Sequence, residues 1–142
     1  MVLARTLSLL KVLVSVKRKV DWEVVDSKVV EPVHLWDIED DDDIVYIHDS
    51  DVIRTYQFDV RNYEDLQKVV TFAQDQMLLE IRSRGYNALW TEGWRLTILR
   101  RAARERVEVR YVGRPAKLNA TPDKTPPPPF IDVLQHLELI AL

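Results

Sequence analysis

Glu92 stands between two tryptophans, in the stretch Leu89, Trp90, Thr91, Glu92, Gly93, Trp94. A carboxyl beside indole rings loses hydration, so its pKa rises and it can serve as a general acid near neutral pH. Strand alternation puts Trp90, Glu92 and Trp94 on one face unless Gly93 bulges the strand. The plainer alternative is a glutamate paired with a neighbouring arginine. A second chemical candidate is the acidic run Glu39, Asp40, Asp41, Asp42, Asp43. Hard divalent cations take oxygen ligands. The run lacks the spaced D-x-D-x-D-G order of a calcium loop, and adjacent carboxylates repel one another into a solvated loop.

The remaining chemistry-bearing residues are scattered. His34, His48 and His136 are isolated from one another, without the spacing of a zinc-binding pair. Gly85, Gly93 and Gly113 are the only glycines, too few for a loop that cradles phosphate. The serines lack a nucleophile-elbow context. The chain has no cysteine, which excludes disulfides, thiol catalysis and cysteine-based metal sites. No catalytic, cofactor-binding or metal-binding set is assigned, and a non-enzymatic role is the expectation.

Charge is unevenly distributed along the chain. Residues 1–20 carry net +5, residues 21–65 net −12 and residues 95–117 net +6, against −3 for the whole. Mutual neutralisation after folding is one outcome; an exposed basic face for an anionic partner is the other. The candidates for that face are Arg95, Arg106 and Arg110 in a solvent row, with Arg100, Arg101 and Arg104 at the turn. Several such side chains release counterions when they meet phosphates. No aromatic ladder for base stacking accompanies them.

These residues need a scaffold, and residues 62–85 are its strongest signal. Leu66, Val69, Val70, Ala73, Met77, Leu78 and Ile81 recur at three- and four-residue spacing and paint one helical stripe. Asn62 suits the N-cap, and Gly85 the left-handed C-cap. The helix would run about 33 Å at about 1.5 Å per residue. Residues 43–48 and 52–60 read as a first hairpin, with Val52, Tyr56, Phe58 and Val60 on the face under the helix and Arg54 snorkelling there. Trp94, Leu96 and Ile98, then Val107, Val109 and Tyr111, alternate as a second hairpin. Residues 22–38 read as one or two strands interrupted near Asp26 and at Pro32.

Together these predict an α+β fold: an antiparallel sheet of four to five strands, β-β-α-β-β, with the long helix on one face and a short C-terminal helix. Residues 1–118 form one domain, 119–129 a proline-rich linker, and 130–142 an amphipathic helix. In that last helix Phe130, Val133, Leu134, Leu137 and Ile140 share a side and dock on the domain or on a partner. The basic, apolar residues 1–20 fit a strand, a helix or a mitochondrial presequence. No apolar run is long enough to span a bilayer.

The stretch RGYNALWTEGWRLTILRR followed by RVEVRYVGRPAK, from Arg84 to Lys117, resembles small uncharacterised proteins of mushroom-forming fungi. In these a G-Y-N, a Trp before an L-T, and an R-x-E-V-x-Y…G-R-P-A run follow a long helix. The resemblance implies no activity and no catalytic residues. The functional expectation is an intracellular protein-interaction module, cytoplasmic or nuclear, that self-associates through its termini as a homodimer. Nucleic-acid or polyanion binding through residues 95–117 is the alternative. Mitochondrial import is the alternative location, and no membrane is expected as a partner.

Overall fold

The computed structural model describes residues 21–34, 36, 43–59 and 66–136. Five strands form one antiparallel sheet: β1 (Glu23–Val33), β2 (Ile44–Ile47), β3 (Val52–Asp59), β4 (Ala88–Arg101) and β5 (Arg104–Leu118). One helix, α1 (Leu66–Ser83), connects β3 to β4, and a 3-10 helix spans Ile131–His136. The fold is α+β. Among the described residues no helix is long and apolar enough to cross a membrane.

The β4–β5 hairpin is the spine of the sheet. Its turn is only Ala102 and Ala103, with Arg101 opposite Arg104 and Ala102 at positive φ (52°). β1 lies along the outer edge of β4, and both β2 and β3 lie along the outer edge of β5. The expected first hairpin is therefore not formed: β2 and β3 do not pair with each other. β5 has 15 residues, about 50 Å of strand, so it accommodates both end to end. β3 covers the part from Arg106 to Gly113 and β2 the part from Ala116 to Leu118. They behave as one edge strand broken at residues 48–51. There the His48 N–H donates to the Pro115 carbonyl (2.8 Å), and Arg114 pairs with Asp51 (2.9 Å).

The helical stripe does what its spacing requires. Leu66, Val69, Val70, Ala73, Met77, Leu78 and Ile81 are all buried, against Trp94, Leu96, Ile98, Val107, Val109 and Tyr111 of the spine. The C-terminus closes on Gly85 (φ 94°), with Gly85 N–H bonded to the Arg82 carbonyl and Tyr86 N–H to that of Ile81. That pair of bonds satisfies carbonyls a helix end would otherwise leave open. Arg54 reaches from β3 to Glu80 of α1 (2.8 Å) and clamps the helix to the sheet edge. The expected N-cap, Asn62, and Val60 lie outside the described residues.

The proline tract departs from the expected linker. Pro128 and Pro129 are buried, and the tract crosses the helix side of the sheet as a strap. A proline has no N–H, so burying it leaves only a carbonyl to satisfy. Two core donors do this: Gln74 Nε2 donates to the Pro126 carbonyl (2.9 Å) and Trp94 Nε1 to that of Pro129 (2.8 Å). The strap delivers Leu134 into the core, with Ile131 and Val133 packed beside it. Through His136 the expected amphipathic helix is a 3-10 helix, anchored on this domain.

At Gly93 the backbone of β1 lies close over β4. A Cβ there would lie 2.6 Å from the Pro32 nitrogen and 2.7 Å from the Val30 carbonyl oxygen, both backbone atoms. The β1 register shifts between Val30 and Val33 at this point. Gly93→Ala must push β1 off the spine. It is expected to cost about 1–3 kcal/mol, read as a lowered urea midpoint of unfolding.

Candidate functional site

Glu92 is buried on the helix side of β4, and its neighbours are not those expected. The β4–β5 register shifts between Leu89 and Glu92. This bulge takes up Trp90 and Thr91, so Leu89, Glu92 and Trp94 become core residues together. Trp90 leaves the row and packs against His34, ring centroids 4.1 Å apart. The break falls before Gly93 rather than at it, between Leu89 and Glu92. No arginine pairs with Glu92 among the described residues.

Its partners are Tyr111 and Gln74. The Tyr111 hydroxyl donates to Glu92 Oε1 at 2.7 Å, and Gln74 Nε2 donates to the same oxygen at 2.8 Å. Gln74 also holds Pro126. One carboxylate oxygen thus joins β4, β5 and α1, and through Gln74 the strap. Burial pushes the Glu92 pKa above the ordinary carboxyl value, while the hydrogen bonds from Tyr111 and Gln74 oppose the rise. Burial and the adjacent carboxylate push the Tyr111 phenol well above its usual range, so it stays a donor. Beside this group lies a cavity of about 10 Å³, bordered by Trp36, Leu78, Leu89, Glu92 and Pro126. That is on the scale of one water.

Gln74 was missed from the sequence, although a visible signal marked it. It sits four residues after Val70 and three before Met77, inside the apolar stripe. A lone amide in such a stripe must have buried partners.

The arginines divide between the two sides of the sheet. Arg100 pairs with Glu105 (2.9 Å) and, by alternation from Ile98, belongs to the helix side. Arg95, Arg101, Arg106 and Arg110 belong to the opposite face, with Arg104 at the turn. No described element lies over that face. Arg106 stands over the Trp22 ring (4.3 Å to the centroid) and near Asp59 (3.8 Å). Arg101 approaches Trp22 from the other side of the turn (5.9 Å). Arg95 and Arg110 are directly opposite each other on the two central strands, flanked by Val29 of β1 and Thr55 of β3. Neither makes an ion pair with a described residue. Glu108, the carboxylate of the next row, is bonded to Gln57 (3.3 Å). Aliphatic side chains surround the pair: Val29 is 56% exposed and Ile53 43%.

The other candidates fare differently. Leu134 of the expected docking set is buried in its own core and Val133 packs against it, so of the two alternatives this part of the tail docks on its own domain. Phe130 is exposed at positive φ (53°), and Leu137 and Ile140 lie outside the described residues. Of the acidic run only Asp43 is described, and its carbonyl accepts the Asn119 N–H (2.9 Å). Among the described residues no group of three or more His, Asp or Glu side chains is arranged to hold a metal ion.

Two substitutions check the Glu92 cluster. Tyr111→Phe leaves the buried carboxyl with one donor fewer and should cost about 1–3 kcal/mol, measured by urea unfolding. Glu92→Gln can still accept from Tyr111 and Gln74 without carrying charge. Because the folded-state pKa of Glu92 is raised, its contribution is fully present below the unfolded value and is lost as pH rises through the folded one. The stability of Glu92→Gln relative to wild type should therefore grow as pH climbs from 4.5 toward neutrality. Parallel curves across that range would contradict the assignment.

Comparison of the chain with protein-family models, with curated proteins and with solved structures returned no match.

Proposed function

We propose that this protein is a non-enzymatic interaction module whose docking surface is the uncovered face of its sheet. The observation that carries the reading is the Arg95–Arg110 pair. Like charges directly opposite on neighbouring strands weaken a sheet, and here the two stand mid-sheet, neither of them in an ion pair with a described residue. A partner that brings an acidic group to this position supplies what the fold omits. The surroundings support a protein partner. The charges on the face are arginines rather than lysines, aliphatic residues flank them, and Trp22 closes one end. Arginine and aromatic residues are enriched in protein interfaces, and lysine is depleted. A polyanion such as nucleic acid is the second reading, resting on the same pair together with Arg101, Arg104 and Arg106. Among the described residues the aromatic beside them is Trp22, already engaged by Arg106, which argues against base stacking.

Arg95→Thr separates function from folding. Removing one member of a like-charged pair from an exposed strand position should raise the stability of the isolated protein by about 0.2–1 kcal/mol. The same change should weaken capture of acidic protein partners in a quantitative affinity comparison with wild type. A loss of stability would mean that Arg95 serves the fold. Fluorescence anisotropy with labelled oligonucleotides at two salt concentrations tests the second reading. Contact with six or more phosphates requires a drop of roughly a thousandfold in affinity between about 50 and 200 mM salt.

A further inference from the structure

β1 is an edge strand that among the described residues pairs with β4 alone. Its outer half is unusually apolar for an edge: Val24 is 63% exposed, Val25 37% and Val29 56%. Edge strands are normally blunted against pairing with other chains. Here the residues read the same in both directions: Glu23, Val24, Val25, Asp26, Ser27, Lys28, Val29, Val30, Glu31. The symmetry breaks only beside the central serine, where Asp26 on one side answers Lys28 on the other.

We infer that β1 pairs with β1 of a second copy, antiparallel about a two-fold axis at Ser27. In that register Asp26 of each copy faces Lys28 of the other, and Val25 faces Val29. Asp26 and Lys28 stand opposite Ile98 and Leu96, so both belong to the helix side, where the two ion pairs form. Centring the axis on Asp26 or on Lys28 instead puts like charges opposite each other. An axis between residues would set helix-side positions against uncovered-side ones. Ser27 is the centre that matches both charge and face.

The backbone points the same way. The Ser27 N–H is bonded to the Asp26 carboxylate at 2.7 Å; in the inferred pairing it faces the second copy. When two copies meet, that N–H takes the Ser27 carbonyl of the second copy, and the released Asp26 carboxylate takes Lys28. Ser27 then forms a hydrogen-bonded pair. Its neighbours Asp26 and Lys28 fall in the non-hydrogen-bonded positions, where cross-strand side chains come closest. The Val25 irregularity, which has no β4 partner of its own, limits the pairing to a short central stretch. The axis is perpendicular to the sheet, so the two uncovered faces lie on the same side and present two Arg95–Arg110 pairs to one partner. This inference concerns the strand edge, not the face, and stands or falls separately from the reading of the arginines.

Sedimentation velocity of the full chain over a hundredfold concentration range tests it. Wild type should associate to a dimer. Asp26→Lys and Lys28→Asp should each weaken the dimer about tenfold or more, since each turns two attractive pairs into repulsive ones. The double variant Asp26→Lys/Lys28→Asp should regain the wild-type constant. An equimolar mixture of the two single variants should form a heterodimer. Circular dichroism and thermal unfolding of each variant show that the monomers are folded. Wild type that stays monomeric throughout, single variants that dimerise as wild type does, or a folded double variant that stays monomeric would each overturn the inference. Arg95→Thr should leave the dimer constant unchanged.

Discussion

Keeping one carboxyl satisfied inside the core is the constraint on which the helix side of this molecule depends. Glu92 makes no ion pair with a described residue, so its burial is tolerable only while Tyr111 and Gln74 donate to it. Those two residues come from β5 and α1, and Gln74 continues to the Pro126 carbonyl. Helix, spine and strap must therefore arrive together. Cores held by dispersion alone can slide or repack at modest cost, whereas a buried polar network loses a full desolvation penalty when one member moves. The cluster thus sets the position of α1 on the sheet.

Sealing one side has a consequence for the other. The helix, the strap and the 3-10 helix are all spent on the face that holds Trp94, Tyr111 and Glu92. The opposite face is left with alternating arginines, polar residues and exposed aliphatics. Nothing on that face stabilises the domain as strongly as the core does, and the Arg95–Arg110 opposition works against it.

Much of this was legible in the sequence because it rests on periodicity. The stripe from Leu66 to Ile81 and the alternation through Trp94–Ile98 and Val107–Tyr111 are direct images of helix and strand geometry. They yielded the α+β class, the buried set and the arginine row. What stayed hidden depends on distant backbone. The bulge at Trp90 and Thr91 takes Trp90 out of the row of Glu92 and Trp94, which alternation alone does not give. The lengths of β2 and β3 gave no hint that both would line up on β5 rather than pair together. The four prolines read as a tether by composition, yet Trp94 and Gln74 supply the donors that make their burial possible. Glu92 was noticed for its indole neighbours, but its true partners lie 18 and 19 residues away along the chain.

Hydroxyl-radical footprinting of the purified protein is the most direct test of the division into a sealed and an open face. Ile53, on the uncovered side at the β3 edge and remote from β1, should be modified rapidly, and Trp94, Tyr111 and Leu134 should be protected. Protection of Ile53 in the isolated protein would mean that the face is already covered by the chain itself. Rapid modification of Trp94 would mean that the strap does not seal the core.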